Sequence, residues 1–320
     1  MKKNVLLLET VDTEADDLLR KNAVVLEALQ GKGSDPIEMA KRVTVHAVIT
    51  RGKGQVNREL METCPDLEVV ARCGVGLDNV DVAEATKRGV RVINAPGSNS
   101  STIAEHALTL MMMGIRDAWR SVERVKEGDW HWRNQYSGDE LRGKTLGILG
   151  MGNIGQRVAK LADAFGMKVI YWDKFPVQSE YESCSMEDVL ERSDVVTLHV
   201  PLLEETKHLI GEKQLNLMKP DAWLINTARG PIIDEAALLD ALDNERISGF
   251  AADVLSIEPP GSNHPLVNHL KTLITPHTGS LTAATYRDMC VFTIQNVIAV
   301  LSETDPDPKA VFNRNELNRR

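Results

Sequence analysis

At 320 residues the chain is long enough for two domains with separate cores. Its apolar fraction of 42% and charged fraction of 26% are those of an ordinary globular protein. A net charge of −9, with no basic block apart from Arg319-Arg320, argues against a nucleic-acid surface. Cys64, Cys73, Cys184 and Cys290 are far apart and form no CxxC or Cys/His cluster, so reduced thiols in a cytoplasmic protein are expected, and no metal.

Lys2-Lys3 precedes only a four-residue apolar run, Val5–Leu8, and then acids. That pattern fits a first strand rather than a secretory leader. Leu108–Met113 is far too short to cross a membrane, so no membrane association is expected. The first hundred residues alternate strand-like and helix-like segments. Strands are predicted at Val5–Leu8, His46–Thr50, Leu67–Ala71 and Val90–Asn94, with helices at Glu14–Arg20 and Asn57–Thr63. This alternation predicts a parallel sheet with crossover helices. The stretch Gly31–Arg42 has no readable pattern. Arg72 to Asp81 follows a strand directly, and Gly74 and Gly76 leave backbone N–H groups able to hold a carboxylate, although a plain strand-to-helix turn fits equally well.

Ala95-Pro96-Gly97-Ser98-Asn99 breaks the alternation. Thr102 and Glu105 are spaced as a capping box, which predicts one long Leu- and Met-rich helix running to about Lys126. Gly128–Gly138 carries Trp130, Trp132 and Tyr136 on an irregular segment. Aromatics in that setting fit a subunit contact, or a loop tucked onto its own domain.

The stretch Leu141 to Lys174 carries the strongest local signal. Thr145–Leu149 reads as a buried strand, and Gly150-Met151-Gly152-Asn153-Ile154-Gly155 follows at once. Val158, Leu161, Ala162 and Phe165 recur at helical spacing, Gly166 stops the helix, and Val169–Trp172 is a second strand ending at Asp173. Gly150 makes the tight turn, Gly152 permits approach of a pyrophosphate, and Gly155 permits close packing of helix on strand. Phosphates then meet free N–H groups at the positive end of the helix. Asp173 lies where a carboxylate accepts from the ribose hydroxyls and repels a 2′-phosphate, which favours NAD over NADP. Lys174 beside it weakens that discrimination.

Further strands are predicted at Asp194–Val200, Ala222–Asn226, Gly249–Val254 and Thr272–Thr275, and an apolar helix at Leu281–Leu301, followed by a tail. In open α/β sheets, ligands bind at the carboxyl ends of strands. Arg229, Asp253 and His277 stand at such ends, and Glu258 lies just past one. A histidine suits proton transfer near neutrality, a neighbouring carboxylate raises its pKa, and an arginine offers a planar fork for a carboxylate. Taken singly, each has a plain alternative: a satisfied loop histidine, a surface acid before Pro259-Pro260, a strand cap. Spacing by itself does not choose.

With these residues in view, the sequence resembles the D-isomer-specific 2-hydroxyacid dehydrogenase family from about Val45 to Ser280. The resemblance is strongest to phosphoglycerate dehydrogenases and hydroxypyruvate or glyoxylate reductases. It is carried by Arg72–Asp81, Ile103–Ala107, Gly143–Gly155, His199–Leu202, Asn226–Gly230, Ala252–Pro259 and Thr275–His277. It implies an α/β protein of two Rossmann-like, doubly wound parallel-sheet domains with a cleft between them. A discontinuous, flavodoxin-like substrate domain would take 1–98 and 285–320, and an NAD-binding domain 99–284. It implies hydride transfer between NAD(H) and a small 2-oxo/2-hydroxy acid, with Arg229 on the substrate, His277 as acid/base and Glu258 as its partner. It places the cofactor on the Gly150–Gly155 turn with Asn153 and Ile154, and on Asp173, Val200, Pro201, Thr227, Ala228, Asp253 and Gly279. The substrate carboxylate falls to Val75 and Gly76. Arg51 and Arg72 stand where related enzymes carry basic residues for a second anionic group, though a solvated loop arginine fits Arg51 as well. The family is usually homodimeric through the Trp119–Leu141 region, and the short form resembles its members without a regulatory domain. Two alternative readings stay open: an NAD-sensing corepressor, since such members of the family keep the same Arg, Glu and His, and a relative oxidising another small anion such as phosphite, which Glu258 does not exclude. Glu258 disfavours a formate dehydrogenase, which carries glutamine there.

Overall fold

The computed structural model describes residues 2–29, 35–52 and 54–319; of the segments read above, residues 31–34 and Arg320 lie outside this range. The chain divides into two compact units, Met1–Asn99 with Leu281–Arg320, and Ser100–Ser280.

The first unit holds five parallel strands: β1 (Asn4–Leu7), β2 (Val24–Glu27), β3 (Ala47–Thr50), β4 (Val69–Arg72) and β5 (Arg91–Ile93), in the order β2-β1-β3-β4-β5. Strand β2 has no counterpart in the sequence reading; Val24–Glu27 is an edge strand with exposed and half-buried residues. One face of the sheet packs on helices Thr13–Asn22 and Ala283–Leu301, with Ala15, Leu19, Ile294 and Val297 fully buried. The other face buries Leu6, Val48, Leu60 and Met61.

The predicted tail is structured in part. Val311 forms an antiparallel bridge with Ile93, at the open edge of β5. The buried Asn313 accepts from Val92 N–H at 3.0 Å and donates to the Val90 carbonyl and the Thr86 hydroxyl, both at 2.9 Å. An edge strand exposes unpaired N–H and C=O groups, and this segment covers them.

The second unit holds seven parallel strands: β6 (Thr145–Leu149), β7 (Lys168–Trp172), β8 (Glu182–Ser183), β9 (Val195–Leu198), β10 (Trp223–Asn226), β11 (Gly249–Ala252) and β12 (Thr272–Ile274). Their order is β12-β11-β10-β9-β6-β7-β8. Strand β6 pairs with both β7 and β9, so the order reverses beside it. Such a reversal opens the crevice in which doubly wound sheets bind ligands. Each central strand is buried on both faces: every residue of β9, β10 and β11 is buried except the half-buried Trp223.

The predicted single helix to Lys126 is two helices, Ser100–Ile115 and Ala118–Lys126, and Thr102 and Glu105 lie inside the first rather than at its cap. The break is at Asp117, which is left-handed at φ 45°. The returning chain causes it: Tyr136 Oη donates to the Arg116 carbonyl, and Asp139 N–H donates to the Ile115 carbonyl at 2.9 Å. Those acceptors are therefore not left for the next helical turn. Asp tolerates the left-handed region better than most residues. Among the described residues no helix is long and apolar enough to cross a membrane.

Replacing Asn313 by Leu strands the Val92 N–H and the Val90 carbonyl in the interior. The expected loss is about 2–3 kcal/mol of unfolding free energy, read by urea denaturation under far-UV circular dichroism; a loss below about 1 kcal/mol would contradict the clamp.

Candidate active site

The glycine turn sits at the strand-order reversal. Gly150 has φ 100°, and a Cβ there would come within 2.7 Å of the His199 carbonyl carbon, in the loop after β9. A Cβ on Gly155 would come within 2.2 Å of the Gly150 oxygen, so only glycine lets helix Asn153–Ala164 start so close to β6. A Cβ on Gly152 meets nothing within 4 Å, which leaves open space beside the turn. The N–H groups of Gly152, Asn153, Ile154 and Gly155 have no hydrogen-bond partner among the described residues. This is an open cradle of donors at a helix N-terminus, suited to a pyrophosphate.

Asp173, at the end of β7, is held on both oxygens. Oδ2 accepts from Met151 N–H at 2.8 Å and Oδ1 from Phe175 N–H at 3.0 Å. Two buried polar atoms at the next strand ends have no partner: Thr227 Oγ1 after β10 and His199 Nδ1 after β9. His199 Nε2 meets Thr197 Oγ1 at 3.0 Å, and burial lowers the pKa of the ring to about 3, so it stays neutral. Val200 is buried and Pro201 exposed on the same loop. An open cradle, an anchored acid and orphaned polar atoms at adjacent strand ends fit an extended dinucleotide.

The loop after β10 is built around Asn226, which is fully buried. Its Oδ1 accepts from Ala228 N–H at 3.0 Å, and its Nδ2 donates to the Arg229 carbonyl at 2.9 Å. Arg229 Nη1 in turn donates to the Ala228 carbonyl at 2.7 Å. The sequence reading missed Asn226 as a structural part of the site, although its position at the end of an apolar strand was a usable signal.

His277 and Glu258 come together across 19 residues: Nδ1–H of His277 donates to Glu258 Oε2 at 2.6 Å, and Glu258 Oε1 accepts from Leu255 N–H at 3.0 Å. This fixes the imidazole by one nitrogen; Nε2 has no hydrogen-bond partner among the described residues. His277 is left-handed at φ 55°. The hydrogen bond to Glu258 raises the pKa of the ring; burial opposes this, the charges of Glu258 and Asp253 add to it, and Arg229 counters it. Burial alone would raise the Glu258 carboxyl, but the bond and charge of His277 hold it below its ordinary value.

Asp253 lies beneath this loop, 2% exposed. It accepts from Thr275 Oγ1 at 2.5 Å, Thr278 N–H at 2.9 Å and Gly279 N–H at 2.7 Å. His106, which the sequence reading passed over, puts Nε2 2.9 Å from Thr275 Oγ1 and 3.4 Å from Asp253 Oδ1.

The remaining predicted residues belong to the first unit. The N–H groups of Val75 and Gly76 have no partner among the described residues. Arg51 donates from Nη1 to the Tyr286 hydroxyl at 3.0 Å and stacks 5.2 Å from that ring's centre. Arg72 donates from Nε to the Arg51 carbonyl at 3.0 Å and pairs with Asp78 at 3.4 Å. Both arginines are anchored in one loop cluster. Glu9, absent from the sequence reading, organises it. One oxygen accepts from the N–H groups of Arg51, Gly52 and Gly54 and from Thr50 Oγ1. Burial would raise the Glu9 pKa, but those bonds bring it down to about 2.

Residues 108–279 match the D-isomer specific 2-hydroxyacid dehydrogenase, NAD binding domain, family. The chain belongs to the D-isomer-specific 2-hydroxyacid dehydrogenases. It is 35% identical over 298 residues to the hydroxypyruvate reductase of Thermotoga maritima, covering 92% of this chain and 96% of that one. It is 38% identical over 284 residues to the D-3-phosphoglycerate dehydrogenase of Archaeoglobus fulgidus, covering 87% of this chain and 53% of that one. The chain therefore spans about half the length of the phosphoglycerate dehydrogenases it matches. The crystal structure of the TT0316 protein from Thermus thermophilus superposes with a TM-score of 0.89 at 36% identity, covering 95% of this chain and 98% of that one. The family and the geometry agree on a nicotinamide dinucleotide site in the second unit.

The His277–Glu258 pair sets a pH window. The folded pKa of His277 exceeds its unfolded value, so its contribution to stability is complete below roughly pH 6.5 and is lost as pH rises through the folded value. The Glu258 contribution is present above roughly pH 4.3 and is lost as pH falls through its lowered folded value. In Glu258→Gln the His277 ring is expected to titrate at lower pH than in the parent, followed by NMR of the imidazole; an unmoved midpoint would show that the carboxylate does not control the ring.

Proposed function

We propose that the protein is an NAD-dependent D-2-hydroxyacid dehydrogenase acting reversibly on a small 2-oxo/2-hydroxy acid, of the phosphoglycerate dehydrogenase or hydroxypyruvate/glyoxylate reductase kind. The observation that carries this reading is the 2.6 Å bond between His277 Nδ1 and Glu258, in a unit that also carries a dinucleotide cradle. Nicotinamide, when bound, exchanges a hydride with C2 of the substrate. In the reductive direction His277 Nε2 holds the proton destined for the carbonyl oxygen. Glu258 orients the ring and keeps it charged, since a carboxylate on Nδ1–H favours the imidazolium. Arg229 presents a planar fork to the substrate carboxylate and polarises the carbonyl. The free N–H groups of Val75 and Gly76 take the carboxylate as well, and Arg51 and Arg72 a second anionic group.

The cofactor lies on Gly150, Gly152, Asn153, Ile154 and Gly155, with Asp173 on the ribose hydroxyls and Val200, Pro201, Thr227, Ala228 and Gly279 along its length. Asp253 contributes through the loop it holds. The discontinuous unit acts as the substrate domain. Two copies pair through the 119–141 region: helix Ala118–Lys126 buries no residue, and Val122, Val125, Trp130 and Tyr136 stand exposed there. A cytoplasmic setting agrees with four free cysteines, three of them buried.

His277→Ala is expected to lower turnover by about 10²-fold or more with NADH binding kept, measured on a panel of glyoxylate, hydroxypyruvate, 3-phosphohydroxypyruvate and 3-sulfopyruvate. Near-normal turnover would reject the acid/base role. The same panel is expected to favour the doubly anionic acids; a preference for glyoxylate would reduce Arg51 and Arg72 to structure.

A further inference from the structure

The adenosine end of the proposed cofactor site presents two opposed charges in sequence: Asp173 repels a 2′-phosphate and Lys174 attracts one. Asp173 cannot swing aside, because both its oxygens are bound to backbone N–H groups. Lys174 is drawn off by a residue 31 positions away: its Nζ lies 2.5 Å from Glu205 Oε1. The same ammonium lies 5.8 Å from the centre of the exposed Phe175 ring. Glu205 is itself placed by its neighbour. The buried Thr206 hydroxyl accepts from Leu203 N–H and donates to the Pro201 carbonyl, both at 2.7 Å, which folds the loop after β9 into a fixed turn.

We propose that Glu205 is a cofactor-specificity residue, acting through Lys174: it occupies the lysine and leaves this corner of the site net negative, against a 2′-phosphate. This rests on the reading of Gly150–Asp173 as the dinucleotide site. A phosphate monoester carries nearly two negative charges at neutral pH, so it meets Asp173 while the neighbouring lysine is engaged elsewhere. Asp173 and Glu205 then discriminate together, and the second of them has no motif to mark it. Lys174 and Glu205 are each about half exposed, at 52% and 53%, so the effect is screened by salt.

The test is the dissociation constant of NADH and of NADPH, read by nucleotide fluorescence on the full chain. The variants are Glu205→Gln, Lys174→Met and the double substitution, each at low salt and at about 0.5 M salt. In Glu205→Gln the ratio of the NADPH constant to the NADH constant is expected to fall about five-fold at low salt, and less at high salt. In the Lys174→Met background the same substitution is expected to leave that ratio within about two-fold. An unchanged ratio in Glu205→Gln overturns the proposal. So does an equal fall in both backgrounds, which would mean that Glu205 repels the phosphate directly. Failure of the parent protein to bind either nucleotide would instead reject the dinucleotide site itself.

Discussion

A single buried carboxylate fixes the loop that carries the proposed acid/base. Asp253 is nearly inaccessible, and an ionised group in that position is tolerated only if its lone pairs are used. They are. Two backbone N–H groups, a hydroxyl and a histidine nitrogen converge on it. Burial would raise its pKa, but His106, Thr275, Gly279 and Thr278 together hold it below its ordinary value. The bonds from Thr278 and Gly279 lie immediately after His277, so the left-handed turn at His277 is stabilised by the charge beneath it. Strain of that kind persists only where the surroundings over-determine it.

The parallel sheet explains why these groups meet at all. Every strand of the second unit runs the same way, so every following loop emerges at one edge. Asp173 follows β7, His199 β9, Arg229 β10, Asp253 β11 and His277 β12. The register of β10 against β11 puts Asn226 opposite Ala252, one residue before Asp253, so the arginine loop and the buried acid start level. Chemistry drawn from five distant points in the chain is thereby gathered without any long excursion of the backbone.

What could be read from the sequence follows the range of the interactions. The strand–glycine–helix–strand–acid unit is local. β6 matches its predicted residues and β7 differs by one residue at its start, while the helix begins four residues before the apolar spacing from Arg157 marks it and ends one residue earlier. The family resemblance rests on this unit and on further short local segments such as Arg72–Asp81, Asn226–Gly230 and Thr275–His277. What was missed is non-local. Glu9 reaches the Arg51–Gly54 loop across more than 40 residues, and His106 reaches Thr275 across 169. The helix break at Asp117 depends on carbonyls taken by residues 136 and 139. Nothing in the periodicity of Leu108–Met113 marks it, since the apolar run ends before the break. β2 went unread although Ala23-Val24-Val25-Leu26 is an apolar run; on the edge of the sheet its residues are exposed or half-buried.

The two units hold their charges in contrasting ways. In the first, one Glu9 oxygen accepts from three backbone N–H groups and a hydroxyl, and these hydrogen bonds to its charged form bring its pKa down to about 2 against the effect of burial. It positions the backbone that carries Arg51, while the Arg51 side chain is positioned from the far end of the chain by Tyr286. In the second, Glu258 and His277 perturb one another, so neither pKa belongs to one residue. The first arrangement is insensitive to pH across the neutral range, whereas in the second the imidazole is shifted up and the carboxyl down, each by the other. A loop held by backbone hydrogen bonds and a mutually perturbed acid–imidazole pair are different arrangements, and the side chains around each suit its own unit.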